Sequence, residues 1–167
     1  MFDRQFAHLT KINDFLFVGS LQTAQNTMLL KKSGVTHILN VCDDDSYDKE
    51  AFNYLNLPFV DNSTVDITQF FDKSFLFIDS AKEKSGKVLV HCEFGTSRSA
   101  SIVIGWILKN AADKNAPLSY EEVLKMLTAK RSMVSPNRGF EQQLKKYAES
   151  LQISKKIIKE HKVEFKA

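Results

Sequence analysis

The sequence predicts an α/β domain with a central, mostly parallel sheet flanked by helices. Three observations carry that prediction. Short apolar runs alternate with segments of helical period along most of the chain. The run Val88-Leu89-Val90 leads into a glycine-containing loop and then into a mostly apolar stretch from 99 to 109, the order strand, tight loop, buried helix. Finally, 167 residues with 43% apolar and 26% charged content suit one domain with a sizeable core.

Taken in order, residues 12–19 read as a hairpin turned at Asn13-Asp14, with Phe15-Leu16-Phe17-Val18 as the returning strand. Residues 24–32 form a short helix stopped at Ser33-Gly34. A buried strand over 35–41 follows, then an acidic loop with Asp43, Asp44, Asp45 and Asp48, then a strand over 52–58. The helix expected over 66–84 carries Phe70, Ser74, Phe77 and Ala81 on one stripe and Phe71, Phe75 and Ile78 beside it, so both must be covered. Residues 87–91 are the central strand. In the helix behind it, Gly105 permits close packing. Ser119 and Glu122 have the spacing of a capping box, with Leu118 and Val123 placed as its staple. Ser135-Pro136 opens the last helix, where Phe140, Leu144, Tyr147 and Leu151 recur at helical spacing. Residues 1–152 are expected to form the domain. Residues 153–167 form a basic extension with Lys155, Lys156, Lys159, Lys162 and Lys166 against Glu160 and Glu164. Its apolar face (Ile157, Ile158, Val163) is short. A helix packed weakly on the core is expected, with a partner or an anionic membrane as the alternatives.

The chemistry concentrates in His91-Cys92-Glu93-Phe94-Gly95-Thr96-Ser97-Arg98-Ser99. Cysteine and arginine stand five residues apart between a strand and a helix start. Backbone N–H groups of Glu93, Phe94, Gly95, Thr96, Ser97 and Arg98 can turn inward as an anion-binding nest at the positive helix end. The same groups stabilise a thiolate, so Cys92 is expected to be ionised near neutral pH. Arg98 adds a bidentate fork suited to phosphate oxygens. Ser99 can donate its hydroxyl to the Cys92 sulfur, and it also suits a helix start. His91, adjacent on the strand, is expected to face away from the pocket. A phosphate monoester also needs a proton donor for its leaving oxygen. Asp61, on a loop after a strand, and Asp66 are the two candidates, and Asp66 reads as a helix cap with Gln69 as its partner.

These segments resemble the cysteine-dependent protein phosphatases, specifically their small (atypical) dual-specificity branch. The resemblance covers about residues 10–150 and includes Val35-Thr36-His37-Ile38-Leu39-Asn40-Val41, the Asp61 loop, residues 87–101 and Ser135-Pro136-Asn137-Arg138-Gly139-Phe140. It implies a protein-tyrosine-phosphatase-like fold and hydrolysis of phosphotyrosine and phosphoserine/threonine in proteins through a phosphocysteine on Cys92. In that reading Asp61 is the general acid, His91 orients the loop by hydrogen bonding, and Asn137 braces it. The resemblance also implies a shallow pocket, since the phosphotyrosine-recognition segment of the larger tyrosine-specific enzymes has no counterpart. Cys42, at a strand end, matches a position that forms a reversible disulfide with the nucleophile in some relatives; a small buried residue is the alternative. Gly105-Trp106-Ile107-Leu108 departs from the Ala-Tyr-Leu-Met common in the branch, which bears on packing and subgroup rather than chemistry. Two other catalytic readings are a phosphoinositide or an RNA 5′-triphosphate phosphatase. Glu93 and the lack of a lysine in the loop disfavour a multiply charged inositol headgroup. A non-catalytic phosphoprotein-binding module is the reading from outside catalysis.

Composition bounds the remaining classes. Two cysteines are too few for a disulfide framework, and a reactive thiolate needs a reducing compartment. With no signal peptide, lipidation motif or membrane-length apolar run, a cytoplasmic location is expected, with the nucleus also open. The charge is uneven: residues 1–83 hold 7 basic against 12 acidic residues (net −5), and residues 84–167 hold 16 against 8 (net +8). A positive half could draw in a phosphorylated substrate, or could simply be solvated lysines. No motif for nucleic acid is present. The acidic loop lacks His or Cys at ligand spacing, so no metal and no cofactor are expected.

Overall fold

The computed structural model describes residues 7–44 and 50–164; Asp45, Asp48 and Lys166 lie outside them. The chain is the expected α/β fold. Strands β1 (Thr10–Lys11), β2 (Leu16–Ser20), β3 (His37–Asn40), β4 (Asn53–Asn56) and β5 (Val88–Cys92) form one sheet in the order β1-β2-β5-β3-β4. Only β1 is antiparallel to its neighbour. Asn13 closes the hairpin, its side-chain oxygen accepting from the N–H groups of Phe15 and Leu16 at 3.0 and 2.8 Å.

Strand alternation sorts the core into two layers. Val88, Val90 and Cys92 share a cluster with Leu16, Val18, Leu39 and Val41, which packs against four helices: α3 (Phe71–Glu83), α4 (Arg98–Asp113), α5 (Tyr120–Lys130) and α6 (Arg138–Glu164). Leu89 belongs to the other cluster, with Phe17, Ile38 and Leu30. By the same alternation His91 falls on the Leu89 side, opposite Cys92. The fully buried Ile102, Ile104 and Leu108 hold α4 under the sheet, each contributing about 1.5–3 kcal/mol. A Cβ at Gly105 would meet the Phe71 and Phe75 rings at 3.0 and 3.1 Å, so the absent side chain lets α3 approach. Trp106 is a packing residue: its Nε1 donates to Asp79 at 2.9 Å, and its ring meets Phe15 edge-on.

Three elements differ from expectation. The helix over 24–32 is two helices, α1 (Leu21–Ala24) and α2 (Thr27–Lys32). Ser20 and Thr23 cap the first reciprocally, and Asn26 caps the second by accepting from the Leu29 N–H at 3.0 Å. A chain with a strong cap at Asn26 restarts there. The helix over 66–84 starts late. Asp66 accepts from the N–H and hydroxyl of Thr68 at 2.9 and 2.6 Å, which holds a 3-10 turn (Thr68–Phe70) ahead of α3. The strand over 52–58 shrinks to β4, at the sheet edge. The capping box of α5 forms as the spacing predicts: Ser119 Oγ accepts from the Glu122 N–H, and Glu122 accepts from the Ser119 N–H at 2.7 Å. Helix α6 buries Phe140, Leu144 and Ala148, then continues unbroken past residue 152 with Ile153 and Ile157 exposed. No helix among the described residues is long and apolar enough to cross a membrane.

Candidate active site

Strands β2 and β5 end side by side, Ser20 beside Cys92, and Asn40 at the end of β3 lies beside His91. The loop over 93–97 leaves from this carboxyl edge and enters α4 at Arg98. It folds around the sulfur: the Gly95 N–H donates to Cys92 Sγ at 3.3 Å, and the buried Ser99 hydroxyl lies 3.3 Å from the same atom. Gly95 has φ +70°, and a Cβ there would lie 2.5 Å from the Gly19 carbonyl, so glycine is needed on both counts.

On the far side of the loop, Ser97 and Arg98 meet the Asp61 loop and the start of α6. The Ser97 hydroxyl donates to Asp61 Oδ1 at 2.8 Å and accepts from the Asn137 N–H at 3.1 Å. The Asn137 amide donates to the same Asp61 oxygen at 2.7 Å, while its carbonyl oxygen caps α6 through the Phe140 N–H. Asp61 Oδ2 takes no part in this clasp and stands 4.0 Å from Arg98 Nε. A Cβ at Gly139 would land on the Ser63 carbonyl, which is how closely α6 presses on this loop. Arg98 Nη1 donates to the Phe59 carbonyl at 3.2 Å, but its buried Nε has no hydrogen-bond partner among the described residues. A buried guanidinium donor left unsatisfied on the loop whose Gly95 N–H and Ser99 hydroxyl face the Cys92 sulfur makes a site for an anionic oxygen.

His91 is fully buried, its Nδ1 3.5 Å from the Cys92 carbonyl; burial pushes the ring down to about 4, so it is neutral at physiological pH. Cys42 is buried just beyond β3, where its N–H and sulfur both donate to Asn40 Oδ1, at 2.9 and 3.2 Å. Burial pushes its thiol up to about 12, and the neighbouring Cys92 sulfur adds to the rise. Asp66 does not cap a helix as the sequence suggests; it is taken up by its turn with Thr68 and makes none of the Asp61 contacts.

Residues 16–150 match the family model "Dual specificity phosphatase, catalytic domain". The chain belongs to this family. It is 34% identical over 151 residues to the Arabidopsis thaliana protein "Dual specificity protein phosphatase 1B", covering 86% of this chain and 84% of that one. It is 35% identical over 147 residues to "Protein phosphatase Slingshot" of Drosophila melanogaster, of which it spans only 14% against 87% of itself. A crystal structure of human DUSP28 superposes with a TM-score of 0.77 at 28% identity, covering 86% of this chain and 95% of that one.

Within this dual specificity domain, one contact set was not foreseen from the sequence. Arg131, at the end of α5 and only 5% exposed, donates from Nε to the Gly95 carbonyl at 2.8 Å and from Nη2 to the Phe94 carbonyl at 3.0 Å. Its Nη1 reaches the His8 carbonyl and the Thr10 hydroxyl, both at 3.1 Å. In Lys130-Arg131-Ser132 it reads as an ordinary cation at a helix end. The Ser97 hydroxyl was likewise legible only as part of the nest, not as the link to Asp61.

Proposed function

We propose that this chain is a protein phosphatase that hydrolyses phosphotyrosine and phosphoserine/threonine through a phosphocysteine intermediate. The observation that carries the reading is the buried, unsatisfied Nε of Arg98 at the loop that wraps Cys92. A phosphoryl group seated there takes its equatorial oxygens to Arg98 and to the loop N–H groups of residues 93–98. The Cys92 thiolate attacks phosphorus, the ester P–O bond breaks, and Asp61 gives its proton to the leaving oxygen. With Oδ1 clasped by Ser97 and Asn137, Oδ2 is the oxygen that carries this proton. In the second step Asp61 takes a proton from water as the water oxygen attacks phosphorus. The S–P bond then breaks, and the Ser99 hydroxyl stabilises the returning thiolate. His91 and Asn137 hold geometry and transfer no proton, and no step calls for a metal or cofactor.

The substrate in this reading is a phosphorylated protein. The exposed Val60 and Phe94 near the site suit an apolar phosphotyrosine ring, and Glu93 disfavours polyanionic headgroups. The thiolate chemistry suits a reducing interior, cytoplasmic or nuclear. Cys42 is the candidate thiol for trapping an oxidised Cys92: in that role its S–H and the S–OH of Cys92 would condense to a disulfide and water. Its high titration range slows that attack, since the thiolate is the nucleophile. Recovery from peroxide by thiol reductant, compared between wild type and Cys42→Ser, tests this role. A substrate panel tests the main reading. Phosphotyrosine peptides should turn over fastest and phosphothreonine peptides detectably, with no turnover by Cys92→Ser. A dominant preference for phosphoinositides or RNA 5′-triphosphates would replace the reading, and oxyanion binding without turnover would make the chain a binding module.

A further inference from the structure

The geometry points to Arg131 as a positioning residue that aims the backbone amides of the phosphate loop and ties their aim to the amino-terminal strand. The inference rests on the phosphatase reading only for its activity readout. In a trans peptide unit the C=O of one residue and the N–H of the next share a plane and point in opposite directions. Arg131 holds the Phe94 and Gly95 carbonyls at 3.0 and 2.8 Å, on the outside of the loop. Pinning the first turns the Gly95 N–H inward, where it donates to Cys92 Sγ at 3.3 Å. Pinning the second turns the Thr96 N–H inward in the same way. One planar fork thus orients two adjacent N–H groups of the anion cradle, a task a lysine's point charge cannot perform.

The remaining donor of Arg131 extends the coupling outward. Nη1 holds the His8 carbonyl and the Thr10 hydroxyl, both at 3.1 Å, so the residues entering β1 share a single guanidinium with the loop. The fork itself is set by the fold: the Arg131 N–H still bonds the Leu127 carbonyl, but its backbone has left the helix (φ −140°, ψ 92°), and only 5% of the residue is exposed. A cation so buried needs its donors satisfied, and four of its five N–H groups are taken up by protein acceptors. Arg131 touches neither substrate nor nucleophile in this scheme. It acts through the loop.

The test uses the full chain and inorganic phosphate, read by amide chemical shifts. In wild type, phosphate should move the Gly95 and Thr96 N–H signals downfield. In Arg131→Met those two shifts should collapse, phosphate affinity should fall, and kcat/KM on p-nitrophenyl phosphate should drop on the order of 10²-fold, the cost of losing a preorganised donor. Arg131→Lys should recover thermal stability but not the two shifts. Thr10→Val should weaken phosphate binding in the same sense by less. An Arg131→Met protein that melts earlier yet keeps wild-type phosphate shifts and affinity would overturn the inference and leave Arg131 a purely structural residue. Full recovery by Arg131→Lys would also overturn it, since charge rather than aim would then be what matters. Wild type that shows the phosphate shifts but no turnover would fail the phosphatase reading alone.

Discussion

The two flanks of the phosphate loop are held in opposite ways. At Ser97 and Arg98 the ties come from Asp61 and Asn137, on a loop and a helix start, and the Asp61 side chain is 35% exposed. At Phe94 and Gly95 the ties come from Arg131, almost wholly buried, and from the close backbone of Gly19. In the proposed mechanism the first flank carries the group that moves protons. The second carries none, and so can be rigid. A site that stabilises a phosphoryl transition state benefits from fixed amides on one side and a solvent-accessible acid on the other.

In the proposed mechanism both flanks act on one phosphoryl group through Arg98, so the largest effect is expected there. Arg98→Lys should lower kcat/KM on p-nitrophenyl phosphate on the order of 10³-fold, because the bidentate fork is lost. Asp61→Asn should lower kcat on the order of 10²-fold or more for alkyl phosphates, while leaving oxyanion binding intact and costing much less in the first step for good leaving groups. Asp66→Asn should show no such leaving-group dependence, since that side chain only caps the turn at Thr68. Leaving-group rates measured on both variants decide which aspartate is the acid. Ser97→Ala removes one donor to Asp61 and one acceptor for Asn137, and should lower kcat about tenfold with little change in phosphate affinity, since one charge-assisted bond is worth about 1.5 kcal/mol.

His91 lies beneath both flanks, and its effect is read in stability. Its folded value is depressed from 6.5 to about 4 by burial, so between those limits the unfolded chain binds a proton that the folded chain refuses. Stability is therefore complete above about pH 6.5 and falls as the pH drops toward 4, by about 3 kcal/mol in total. Burial depresses His37 in the same direction. Urea unfolding of wild type and His91→Gln at pH 5 and pH 7.5 checks this, and the variant should lose most of the pH slope. The smallest effect is expected far from either flank. Truncation after Leu151 removes exposed Ile153 and Ile157 and should leave aryl phosphate turnover unchanged.

What the sequence made legible was local. The strand into Cys92, the glycine loop, the α5 capping box and the apolar face of α4 are each written within a few consecutive residues, where period and spacing speak directly. The split between α1 and α2 is local too, but the cap at Asn26 that makes it is not part of the single-helix reading of 24–32. The clasp of Asp61 by Ser97 and Asn137 and the grip of Arg131 on Gly95 and His8 join residues that only the topology brings together. No spacing rule marks an arginine at a helix end as the one that will meet a loop formed by another strand.

Trapping the intermediate shows whether Cys92 on this asymmetric loop takes up the phosphoryl group. Asp61→Asn should still accept phosphate from p-nitrophenyl phosphate, whose leaving group needs no acid, but lacks the base for hydrolysis. Acid quench and peptide mass spectrometry should then find a phosphoryl adduct on the peptide containing Cys92, absent when Cys92→Ser is added to the same variant. A protein that turns over substrate with no adduct on Cys92, or with one on another residue, would contradict the account.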